Sequence, residues 1–202
     1  MTTFHYPNLT IIEESQVQQT ASAILGRAIV AKPHRSAQQL LCHQHIKDAI
    51  DGEFETDIEI EKISQFGTDY LVLADSPAVA SQMLHRGSLN VHTFTVALLP
   101  CTTEYGSVTV PLHTQVSNNQ QPKIHDQQAT RKQRLTIQIS GIPPQLCCEA
   151  TLHSLFNNIC PITNISFNRF DLTYSVSANA SPTIVPDIAH IAIKKQDQMV
   201  IS

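Results

Sequence analysis

Charge is scarce in this sequence. Charged residues make up 15% of its 202 positions and the net charge is −4, which excludes a chain built as a whole to neutralise phosphate backbones or coat an anionic membrane. Any nucleic-acid surface must be a local patch. Long apolar runs are also missing: none approaches the length needed to cross a bilayer, and Met1-Thr2-Thr3-Phe4-His5-Tyr6-Pro7 has no basic stretch followed by an apolar one. An intracellular protein, nuclear or cytoplasmic, is expected. Cysteine is present in an odd and irregular set (Cys42, Cys101, Cys147, Cys148, Cys160), which suits reduced thiols better than a disulfide framework. The sequons at Asn8, Asn164 and Asn179 are then chance matches.

Common catalytic signatures are lacking too. There is no P-loop, no G-x-G-x-x-G and no G-x-S-x-G, and the ten histidines are scattered. Cys42-His43-Gln44-His45 invites a zinc reading, but on a helix residues 42 and 45 share a face while His43 points elsewhere, and no second pair follows at finger spacing. Cys148-x4-His153-x6-Cys160 fails likewise, with Cys148 on an apolar stripe. No catalytic residue, cofactor, metal site or small-molecule substrate is expected.

What is present is enough apolar residue, 42%, for at least one proper core. Residues 1–26 are polar with a short apolar patch at Leu9-Ile11-Ile12 and read as a loosely attached arm. Residues 27–100 carry a strand–helix–strand–strand–helix–strand order. Ala28 to Lys32 is a β-branched run ended by Pro33, after which Ser36 is expected to cap a helix with Cys42, Ile46, Ala49 and Ile50 on one face and Gly52 as its stop. Thr56 to Ile63 alternates as a half-buried strand with Asp57, Glu59 and Glu61 in solvent. Tyr70-Leu71-Val72-Leu73 is a continuous apolar strand. Asp75-Ser76-Pro77 starts a helix with Val79, Ala80, Met83 and Leu84 inside and Gly87 at its end. His92, Phe94, Val96 and Leu98 alternate in a last strand closed by Pro100. The expected fold is α+β and ferredoxin-like (βαββαβ), with two helices on one face of an antiparallel sheet, strand one lying centrally beside strand three.

Residues 101–133 are rich in Thr, Asn and Gln and read as a polar linker with a short strand at Val108-Thr109-Val110. Residues 134–195 repeat the pattern in truncated form, a βαββ(β)-type unit: a strand at Leu135 to Ile139, a helix carrying Cys148, Leu152, Leu155, Phe156 and Ile159, then strands at Ile162 to Phe167, Leu172 to Val176 and Ala189 to Ile193. Ser181 to Pro186 is too proline-bound for more than one helical turn. Residues 196–202 form a tail.

The βαββαβ order matches that of RNA-recognition motifs, which stack bases on sheet aromatics. Placing Gly67 to Leu73 against the strand-three motif puts Leu71 and Leu73 in the core and Thr68 and Tyr70 on the open face. Only Tyr70 is aromatic, and the matching strand-one position is Ile29. Stacking by one ring stands against a reading in which Tyr70 packs on a neighbouring segment. Arg131, Lys132 and Arg134, with Lys123 upstream, are candidate phosphate contacts or a plainly solvated cluster.

Four stretches also carry a likeness. Tyr70-Leu71-Val72-Leu73-Ala74 before a helix ending His85-Arg86-Gly87, the strand Phe94 to Pro100, Ile137-Gln138-Ile139-Ser140-Gly141-Ile142-Pro143-Pro144, and Pro182 to Ile188 together resemble a plant domain-of-unknown-function family. That family is abundant in grasses and related to the first open-reading-frame protein of LINE-type retroelements. The likeness runs from Arg27 to about Lys195. It implies an RNA-recognition-motif-like domain and nucleic-acid binding, and brings no catalytic residue. The zinc knuckle that often follows such a domain is missing, as is tryptophan. The function expected is weak binding of single-stranded RNA or DNA by a non-enzymatic, retroelement-derived protein. The alternative is an interaction module that pairs a sheet face or edge strand with a protein partner or with itself.

Overall fold

The computed structural model describes residues 9–13, 24–106, 108–111, 133–157, 159–180, 185–194 and 198–201. Chain order gives β1 (Leu9–Glu13), β2 (Ala28–Pro33), α1 (His43–Phe54), β3 (Ile63–Phe66), β4 (Asp69–Leu73), α2 (Pro77–Arg86), β5 (Ser88–Val91), β6 (Phe94–Pro100), β7 (Val108–Pro111), β8 (Gln133–Ile139), α3 (Glu149–Phe156), β9 (Ile162–Asn168), β10 (Thr173–Ala180), β11 (His190–Lys194) and β12 (Gln198–Ile201). The fold is α+β, with its strands in three sheets among the described residues.

The first sheet is antiparallel, in the order β3-β4-β2-β6-β5. β2 lies in the middle and pairs with β4 as expected, Ile29 opposite Val72 and Ala31 opposite Tyr70. Ile46 and Ile50 of α1 and Ala80 and Met83 of α2 pack into one core with Ile29, Val72, Val96 and Leu98. The start of α2 follows from local chemistry. Pro77 sits at its first positions, Ser76 Oγ accepts from the Val79 N–H at 3.2 Å, and Gly87 closes it at φ 74°, donating its N–H to the Met83 carbonyl.

Four expectations for this unit are corrected. Ser36 does not cap α1: its hydroxyl lies 3.0 Å from His34 Nδ1, the chain turns through Ala37, and the helix starts after Cys42. It then runs through Gly52 to Phe54. Its end is made instead by Glu55 at φ 51° and by Asp51, whose carboxylate accepts from the Ile58 N–H at 2.9 Å and from Thr56 Oγ1 at 3.2 Å. That same bond draws Ile58 into the core, so Thr56 to Lys62 forms an irregular stretch and a 3-10 turn, and the strand begins only at Ile63. Finally, His92 is not in the last strand. It stands at φ 55° in a two-residue turn between Val91 and Phe94, and β5 adds a fifth strand at the sheet edge.

The second half departs further from the sequence reading. β8, β10 and β9 form a three-stranded antiparallel sheet, whereas β11 leaves it to join a four-stranded one, β1-β11-β12-β7. The segment read as a loosely attached arm supplies β1, which pairs in parallel with β11 from Leu9 opposite His190 to Glu13 opposite Lys194. Ile12, Ile191 and Ile193 thereby enter the core made by Leu152, Leu155 and Phe156 of α3 with Tyr174 and Val176 of β10. The strand expected at Val108 to Val110 is present as β7, while residues 181–184 lie outside the described ones.

Ile46 and Leu155 are expected to anchor the two cores. Truncation of either to Ala should cost about 2–5 kcal/mol of unfolding free energy in a denaturant titration. A loss under about 1 kcal/mol would place that side chain outside its core.

Candidate functional site

The expected stacking surface is not assembled. Tyr70 and Ile29 point to the helix side of the first sheet, at 1% and 0% exposure, and the Tyr70 hydroxyl donates to the Leu41 carbonyl at 2.7 Å. The face assignment is thus inverted: Leu71 and Leu73, expected in the helix-side core, lie on the other face. That face is itself covered, with Ala28, Val30, Leu71 and Cys101 buried beneath Ile24, Leu25 and Tyr105. Thr68 is exposed in the turn before β4. Arg134 is exposed on β8, and Lys123, Arg131 and Lys132 lie outside the described residues.

Tyr70 instead belongs to a junction. The His43 ring stands edge-on to both Tyr70 and Phe170, at 5.5 and 5.6 Å between centroids, and its Nε2 donates to the Phe170 carbonyl at 2.9 Å. The same carbonyl accepts from the Gln65 N–H, so the β9–β10 turn caps the outer edge of β3. A second junction is built on Gln145, 1% exposed, whose Nε2 donates to the carbonyls of Thr103 and Tyr105 at 3.0 and 2.9 Å. Gly106, at φ 78°, lets the chain pass against Phe66, where a Cβ would come within 2.8 Å of the ring.

Among the described residues, no three of His, Cys, Asp and Glu come together in a way that could hold a metal ion. A cavity of about 310 Å³ lies between β8, α3 and the segment before β11, lined by Ile137, Ile139, Leu155, Phe156 and Pro186, with Asp187 among its few polar groups. Its described lining includes neither histidine nor cysteine. Burial pushes the Cys101 thiol up to about 11 and, with Cys148 nearby, the Cys147 thiol up to about 12, so neither is a ready nucleophile at neutral pH. None of the described helices is long and apolar enough to cross a membrane.

One open surface among the described residues is the outer face of the three-stranded sheet, where Arg134, Thr136, Gln138, Ser166 and Asn179 are exposed. The sheet's inner face carries Ile165, Phe167, Tyr174, Val176 and Ile137. By register its outer face carries Arg134 beside Asn179, Thr136 beside Ser177, and Gln138 beside Ser175, with no carboxylate among these pairs. β9 pairs with β10 on one side and forms the sheet edge on the other. Its sequence, Ile-Thr-Asn-Ile-Ser-Phe-Asn, contains no charge and no proline, and Thr163, Asn164, Ser166, Phe167 and Asn168 are all exposed. Phe167, 37% exposed, stacks on Tyr174 with centroids 4.5 Å apart. The strand itself is legible in the sequence from Ile162 to Phe167, whereas its position at a sheet edge is not. The lack of a charged residue from 162 to 168 was the signal available.

Comparison of the chain with protein-family models, with curated proteins and with solved structures finds no match in any of the three.

Two tyrosines give the fold an alkaline limit. Burial raises the phenols of Tyr105 and Tyr174, with the Asp69 carboxylate, 3.1 Å from the Tyr105 hydroxyl, adding to the first and the neighbouring Cys147, Cys148 and Glu149 to the second. A group harder to ionise folded than unfolded contributes stability that is complete below its unfolded value, about 10, and lost as pH rises past it. Unfolding free energy, followed by denaturant titration, should therefore fall steadily above about pH 10, and Tyr105→Phe should shallow that fall.

Proposed function

We propose that this chain is a non-enzymatic interaction protein that takes an added β-strand onto the outer edge of β9. One observation carries the reading: among the described sheet edges, β9 combines seven residues of length with the absence of both charge and proline. Natural edges are commonly blunted by lysine, proline or cover, because a row of unpaired N–H and C=O groups is a template for another strand. The other edges here carry such devices or are short. β3 is capped by Phe170, β8 carries Arg134, β1 contains Glu13, β7 ends in Pro111 and β5 has four residues. Main-chain bonds would supply affinity for the incoming strand, and alternate side chains its specificity.

A photo-reactive residue in place of Asn168 tests this in a cell extract. The expected result is a discrete protein adduct mapping to β9, and its absence would overturn the reading.

The second reading is weak binding of single-stranded RNA or DNA by a retroelement-derived protein, with residues 27–100 as a ferredoxin-like, RNA-recognition-motif-like unit extended by β5. The β3-β4-β2-β6 order supports that fold assignment. Arg134, exposed on a sheet face of neutral polar side chains, supports the binding. With Tyr70 buried, charge would carry it. Replacing Arg131, Lys132 and Arg134 with Gln should lower the slope of log affinity against log salt by about 2 for a labelled single strand. An unchanged slope would remove these cations from the interface.

A further inference from the structure

We infer that the strand received by β9 is β9 of a second copy of this chain, paired antiparallel about a two-fold axis through Ser166. This inference rests on the edge-strand reading and names its partner. A two-fold axis pairs residue i with the residue equally far on the other side of the centre, and paired residues must share a face of the sheet. Ser166 lies on the outer face, opposite Ser175 of β10, while Ile165 and Phe167 lie on the inner one, opposite Val176 and Tyr174. Centring on Ser166 therefore sets Ile165 against the partner's Phe167 and Asn164 against the partner's Asn168.

Each of these pairs is favourable. A β-branched side chain beside an aromatic ring is a good cross-strand neighbour, and two amides can exchange hydrogen bonds. Ile165 would help cover Phe167, which is 37% exposed. A neutral residue at the axis is required, since a lone charge there would meet its own copy. The irregularity that interrupts the β9–β10 register falls at Thr163, outside the stretch from Asn164 to Asn168. The result is a six-stranded antiparallel sheet shared by two chains, built on the two three-stranded ones.

Charge substitution at the axis tests the register as well as the interface. Sedimentation of the full chain should show a concentration-dependent dimer. S166K and S166E, at an exposed position whose hydroxyl makes only a long 3.5 Å bond to the Ser175 carbonyl, should each keep the fold by circular dichroism and weaken dimerisation by about tenfold or more. Mixing the two variants should restore it, because Lys then faces Glu. An independent pair asks the same question: N164K/N168E brings opposite charges together across the axis and keeps the dimer, whereas N164K/N168K loses it. A wild-type chain that stays monomeric, variants that dimerise as tightly as wild type, or a mixture that stays apart would overturn the self-pairing. In that event, an adduct from position 168 to a different protein leaves the edge-strand reading standing, and no adduct overturns both.

Discussion

The structure depends on a central strand that has to be covered on both sides. β2 is buried along both faces, with Ile29 and Ala31 toward the helices and Ala28 and Val30 toward the opposite face. Two helices can cover one face of a sheet, and a second layer must come from elsewhere in the chain. Here it comes from residues on either side of the unit. Ile24 and Leu25 precede it, and Cys101 and Tyr105 follow it, with the Cys101 N–H bonded to the Ala28 carbonyl at 3.2 Å. A segment that reads as the start of a polar linker is thus held against the sheet by apolar burial.

Holding that segment down brings the second half of the chain into place. Tyr105 packs near Phe66, Gly106 passes between Phe66 and Pro143, and Gln145 grips the carbonyls of Thr103 and Tyr105. Gln145 is a specifier of geometry more than a source of stability. Its two hydrogen bonds contribute about 1 kcal/mol each, while its buried Oε1 has no partner among the described residues, a cost of about 1–3 kcal/mol. On the other side, the Phe170 carbonyl accepts from both His43 and Gln65, so the edge of β3 is spent on the chain's own β9–β10 turn. The outer edge of β9 is paired with no other strand among the described residues.

Surface charge follows the same division. Carboxylates gather on the first unit, where Asp51 and Asp57 bond Lys47 and where Lys62 bonds Asp75 and Glu59. Burial disfavours ionisation of Asp51, but Lys47 and the Ile58 and Thr56 donors outweigh it and hold the carboxyl below its ordinary range. These are loop-fastening contacts, placed where α1 ends. The three-stranded sheet carries almost no charge, and a neutral edge can approach a copy of itself without electrostatic cost.

Sequence alone determined the features encoded within a few neighbouring residues. The order of elements from β2 to α2, the Ser76-Pro77 start and Gly87 end of α2, and the apolar stripe of α3 are legible, because capping geometry and helical spacing are local. Tertiary structure decided the rest. β2 and β4 are apolar on both faces, so their sequence has no alternation from which to tell which side meets the helices, and Tyr70 was assigned to the wrong one. The parallel pairing of β1 with β11 joins opposite ends of the described chain, and no local pattern in Leu9 to Glu13 points to His190. The exit of β11 from the sheet of β8 to β10, and the closure of β3's edge that leaves β9's open, depend likewise on which surfaces remain uncovered once both cores have formed. That competition for burial is settled between segments far apart in the chain, and it determined the candidate site.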